Sequence, residues 1–110
     1  RMICAGALAE RYEALGGSVI YYGKPKRPIY DTCLSQLGNP DPGKVLAIGD
    51  SLRTDIAGAT AIGMDSVLVL GGIHEEEFSE FDKATIETKI FKRCEKSGIM
   101  PTKAISSFCW

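Results

Sequence analysis

Residues 44–55, KVLAIGDSLRTD, end a short apolar run in two carboxylates, Asp50 and Asp55, five positions apart. Two acids held close together suit chemistry with a hard cation such as Mg²⁺, which keeps several waters and bridges one or two carboxylates to a phosphate. Lys24, set between Gly23 and Pro25, could bring one ammonium to the same region. A lysine beside metal-binding acids suits a phosphoryl group, whose transfer needs charge neutralisation and positioning. Each residue also has an ordinary structural reading. Aspartate is a common turn former and favours the first turn of a helix, and spacing alone leaves both readings open for Asp50 and Asp55.

Several elements must position these groups. Val45, Leu46, Ala47 and Ile48 show no polar alternation, which predicts a strand covered on both faces, as in a parallel sheet flanked by helices. Asp50 then falls just past the carboxyl end of that strand, where open α/β sheets place their ligands. Thr54 is the expected N-cap of the following helix, which runs over residues 56–62 and stops at Gly63. The continuous apolar run SVLVL at 66–70 predicts a second strand, closing a crossover that is right-handed by default. Upstream, apolar residues at helical spacing over 3–15 predict a helix ended by Gly16 and Gly17. SVIYY at 18–22 reads as a strand that delivers Lys24 at its end. A further helix starts near Pro28, with Tyr30, Cys33, Leu34 and Leu37 on its inner face, and stops at Gly38. Residues 84–97 read as a helix on Ile86, Ile90 and Cys94, and 102–110 as a tail with a short strand. Residues 75–81 are acidic and give no clear pattern, and His74, the single histidine, reads as a loop residue. Tyr21, Tyr22, Phe91 and Trp110 are expected to cover the core or a sheet edge.

The 110 residues allow one domain with a modest core. A net charge of −1 gives no basic excess for nucleic acid. No apolar run reaches the roughly 18 residues of a membrane helix, and the N-terminus lacks a signal-peptide pattern, so a soluble cytoplasmic protein without nucleic-acid or membrane partners is expected. The four cysteines, Cys4, Cys33, Cys94 and Cys109, form no C-x-x-C pair and are expected as buried free thiols. Position 1 is Arg, and a sheet of two or three strands would leave an open edge, so further strands are expected upstream.

GKP followed about two dozen residues later by GDSLRTD resembles the third and fourth motifs of the haloacid dehalogenase (HAD) superfamily of phosphatases. CAGALAERYEALGG, YYGKPKRPIYDTCLSQLG and VLAIGDSLRTDIAGATAIGMDSVLVLGGIH resemble its class IIA branch, which carries a cap domain between its second and third motifs. The resemblance implies an α/β fold, the incomplete C-terminal portion of a Rossmann-like, doubly wound parallel sheet. Residues 1–17 would be the end of the cap or a return helix, and residues 18–110 the C-terminal part of the core. It further implies that Asp50 ligates Mg²⁺, that Asp55 supports the metal directly or through water, and that Lys24 balances charge on the phosphoryl group of a small phosphorylated metabolite. The departure is equally specific. Family members begin catalysis from an aspartate in a D-x-D motif, and none of the six aspartates here has another two positions away. The expected function is therefore the C-terminal part of a Mg²⁺-dependent phosphatase, inactive without the N-terminal core and cap segments. The alternative is a non-catalytic HAD-like binding module. A phosphoacceptor signalling domain ranks last, because there the acceptor aspartate precedes the lysine.

Overall fold

The computed structural model describes residues 4–73 and 82–109, apart from the side chain of Lys83. The acidic stretch 75–81, His74 and Trp110 lie outside the described residues.

Among the described residues, three short parallel strands form the sheet, in the order β1 (Leu46–Gly49), β2 (Asp65–Val69), β3 (Lys103–Ile105). Helix α3 (Ala57–Ala61) links β1 to β2, and α4 (Lys83–Ser97) precedes β3. Two helices lie upstream of β1, α1 (Ala5–Ala14) and α2 (Arg27–Gln36). Successive right-handed crossovers that step the same way across a sheet put their helices on one face. The core agrees: Leu68 of β2 is fully buried in one cluster with Leu52 and Ile56 from the α3 side and Ile90 and Cys94 from α4. This is the expected α/β class, a partial Rossmann-like core.

Local chemistry explains the element ends. Asp82 caps α4, accepting the Thr85 amide at 2.9 Å and the Thr85 hydroxyl at 3.1 Å. Those bonds hold its carboxyl below the usual range. Gly98 ends α4 at φ +67°, a left-handed conformation that costs glycine least. The start of β3 is tied to β2 by Thr102, whose hydroxyl accepts the Ser66 amide at 3.0 Å and donates to Asp65 at 2.9 Å.

Several expectations are corrected. Residues 18–22 form no strand, although their composition suits one. No described strand offers them a ladder, and Tyr21 instead donates to Glu13 of α1 at 2.7 Å while the Lys26 ammonium sits 5.6 Å from its ring centre. The Glu13 bond pushes the Tyr21 hydroxyl up to about 12. Strand β1 is not covered on both faces: Leu46 and Ile48, on the face opposite Leu68, are 53% and 44% exposed. Of the proposed inner face of α2, Tyr30 is buried, but Cys33 and Leu37 are exposed. The apolar stripe of α1 is bare, with Leu8, Tyr12 and Leu15 all exposed. Tyr22 and Phe91 are likewise exposed rather than core. Three thiols, Cys4, Cys33 and Cys109, are exposed, and only Cys94 is buried among the four; burial pushes its thiol up.

Candidate functional site

Lys24, Asp50 and Asp55 meet at the carboxyl end of β1. Gly49 ends the strand, and a Cβ at that position would run into the Asp55 carboxylate, so the glycine lets the acid fold back against the strand end. The chain then enters one wide, π-helical turn over Leu52–Ile56, in which the Asp55 and Ile56 amides both donate to the Ser51 carbonyl at 3.0 and 3.1 Å. Ser51, not Thr54, stands at the N-cap. Its amide is satisfied from inside the turn, donating to Asp55 Oδ2 at 3.1 Å, as the returning acid does in a capping box.

The second oxygen of Asp55 is also engaged. Lys24 Nζ donates to Asp55 Oδ1 at 2.7 Å, joining the loop before α2 to the turn after β1 across 31 positions of sequence. That bond raises the Lys24 pKa above its ordinary value against the opposing effect of burial, with Asp55 and Asp50 adding smaller electrostatic contributions in the same direction. The lysine side chain remains 54% exposed and the aspartate only 12%, so the pair has a wet side where a substrate could approach. Tyr30 braces it from α2. Its hydroxyl lies 3.3 and 3.4 Å from the Thr54 and Asp55 carbonyls, and its ring packs where any Cβ on Gly58 would stand.

Asp50 is held from the other side. Its Oδ2 accepts the amide of Ile73, from the loop after β2, at 3.1 Å. Its Oδ1 accepts no hydrogen bond from any described residue. Among the described residues, Asp50 thus has one oxygen without a donor, while both oxygens of Asp55 accept hydrogen bonds. No cluster of three acid, cysteine or histidine side chains occurs among the described residues. The two carboxylates are hard oxygen donors of the kind Mg²⁺ takes, few at a time, with water and phosphate completing its shell.

The structure brings all three predicted residues together. Sequence reasoning missed Tyr30 as a brace and the amides of Ser51 and Ile73, because a main-chain donor has no signature in residue type. A cavity of about 350 Å³ beside the turn, walled by Ser51, Leu52, Arg53 and Thr54 with Ile73 and α4, contains none of the three on its wall. The three residues lie instead at the strand end.

Comparison with known proteins gives the family. The family model described as HAD-hydrolase-like matches residues 21–91, which carry all three site residues. The chain belongs to that family. Bovine chronophin is 37% identical over 73 residues, 66% of this chain and 24% of chronophin. A hydrolase of the haloacid dehalogenase-like family from Brucella suis superposes with a TM-score of 0.70 at 31% identity, covering 96% of this chain and 37% of that one. A p-nitrophenyl phosphatase from Archaeoglobus fulgidus superposes at 0.65 and 26% identity, covering 93% and 35%. The HAD-like chain thus spans about a quarter to just over a third of the length of these relatives.

Proposed function

We propose that this chain supplies the metal-side acid and the phosphate-side lysine of a Mg²⁺-dependent phosphatase of the class IIA type, acting in the cytoplasm on small phosphate monoesters. The observation that carries the reading is the Lys24–Asp55 pair at 2.7 Å beside the open oxygen of Asp50 at a strand end.

In this reading Asp50 Oδ1 is the metal ligand. Asp55, with both oxygens engaged, holds the Lys24 ammonium in place and supports the metal through water. Lys24 stays cationic at neutral pH and balances charge on the phosphoryl oxygens and on an attacking carboxylate. A bound Mg²⁺ would supply electrostatic stabilisation of the phosphoryl oxygens. The nucleophile is an aspartate outside this sequence, in the N-terminal core of the longer protein. It would displace the alcohol to form an aspartyl-phosphate, which water then hydrolyses. Residues 1–17 would be the end of the cap or a return helix, and residues 18–110 would form the C-terminal part of the core.

The full-length protein is expected to hydrolyse p-nitrophenyl phosphate only with Mg²⁺, and Asp50→Asn should lower kcat/KM by about 100-fold or more. The isolated chain should show no turnover. Mg²⁺-dependent turnover by the chain alone, lost in Asp50→Asn, would show that its nucleophile is not elsewhere. The absence of D-x-D motivates a second reading, a HAD-like binding module without catalysis. A full-length protein that folds cooperatively yet hydrolyses no phosphate ester would favour it.

A further inference from the structure

We propose that residues 71–73, the loop after β2, are the positioning device for Asp50, and that Gly72 in particular sets where its carboxylate stands. The inference rests on the reading of Asp50 as a metal ligand and adds the residues that aim it.

Three independent contacts carry it. The parallel ladder continues past β2, with the Leu70 amide donating to the Ile105 carbonyl at 2.9 Å and the Gly71 amide to the Ser106 carbonyl at 2.8 Å. The loop is therefore anchored to β3 up to Gly71. One residue on, Gly72 packs its bare Cα against Asp50: a Cβ built there overlaps Asp50 Cβ, Cγ and Oδ2. That overlap is with the near end of a short side chain, which cannot swing aside without moving its carboxylate. The next amide, Ile73 N, donates to Oδ2 at 3.1 Å. One oxygen is thus pinned by the main chain of a neighbouring strand end, and the other accepts no hydrogen bond from a described residue. A metal ligand must be held within about 0.5 Å of its working geometry by its surroundings, and main-chain contacts on a sheet do this better than a mobile side chain.

The geometry makes a specific distinction. An added methyl at Gly72 should misplace Asp50 without touching Lys24 or Asp55, so metal affinity should fall while the lysine pair survives. The test uses the full-length protein, with Mn²⁺ as the spectroscopic substitute for Mg²⁺. Binding is read by electron paramagnetic resonance and folding by the thermal transition. Gly72→Ala should weaken Mn²⁺ binding by tenfold or more. Gly98→Ala, which forces alanine into the left-handed conformation at φ +67° far from Asp50 in sequence, serves as the destabilised control and should bind Mn²⁺ as the wild type does. Mn²⁺ affinity within twofold of wild type in Gly72→Ala would overturn the proposal, as would an equal loss in Gly98→Ala. Should Gly72→Ala not fold, Ile73→Pro carries the same test by removing the donor amide. Equal Mn²⁺ binding by wild type and Asp50→Asn would instead remove the metal reading. Hydrogen exchange at the Ile73 amide still decides the positioning in that case: faster exchange in Asp50→Ala supports it, and unchanged exchange sinks it.

Discussion

Asp55 does two jobs with two oxygens, and this division ties the turn after β1 to the loop that carries Lys24. Oδ2 closes the turn on the Ser51 amide and Oδ1 holds Lys24. Because the lysine is more than half exposed, the ion pair itself adds only about 0–1 kcal/mol to folding. Lys24→Ala should therefore change the thermal transition little while lowering phosphatase activity of the full-length protein by about 100-fold. A comparable loss of stability would make Lys24 a structural residue. The pH dependence follows from the direction of its shift. A pKa raised above 10.5 on folding means that the lysine's stabilising contribution is fully present below 10.5 and fades only as pH rises through the higher folded value. Between neutral pH and about 10, no step in the activity profile should arise from Lys24, and a step there that disappears in Lys24→Ala would contradict the assignment.

At the scale of elements, β2 does most of the organising. Its Leu68 is fully buried where the wide turn after β1 and helix α4 converge. Deleting that side chain removes the contact shared by both crossovers. Leu68→Ala should cost about 2–5 kcal/mol in chemical denaturation of the full-length protein; a cost under 1 kcal/mol would mean that the two helices do not depend on it. The wide turn after β1 serves the site more than the core. With Leu52 and Ile56 buried on its inner side, it presents Asp55 on the other, back toward the strand end. The segment 18–22 shows the limit of composition at this scale. Val19, Ile20 and Tyr21 favour extended structure, yet a strand exists only where another strand accepts its backbone hydrogen bonds, and Glu13 and Lys26 hold Tyr21 elsewhere.

The whole molecule is loosely gathered for its length. Its radius of gyration is 15.6 Å, against about 13 Å for a compact domain of this many residues. One face of the sheet carries Leu46 and Ile48 into solvent, and the apolar stripe of α1 is equally bare. The chain spans 24% of bovine chronophin and 37% of the Brucella hydrolase it superposes on. In the full-length protein, Ile48 is expected to face other parts of the core. Ile48→Asp should then destabilise the full-length protein by about 2 kcal/mol or more, whereas an effect within about 0.5 kcal/mol would place that face in water there too.

The sequence by itself determined the class of fold and the strands β1 and β2, and it singled out Lys24, Asp50 and Asp55, which the structure places together. Apolar runs of strand length ended by glycine, and acids at a strand end, are local signals that need no partner to be read. Helix α4 was equally legible, since Ile86, Ile90 and Cys94 recur at helical spacing and Gly98 stops it, while its cap, Asp82, emerged only from the structure. Tertiary structure alone decided what each acid does with each oxygen. The amides of Ser51 and Ile73 and the brace from Tyr30 reach the site from positions whose residue types do not announce them. It also decided which apolar residues are core. Leu46 and Leu68 look alike in the sequence, and the difference between them is only whether a helix lies over that face of the sheet.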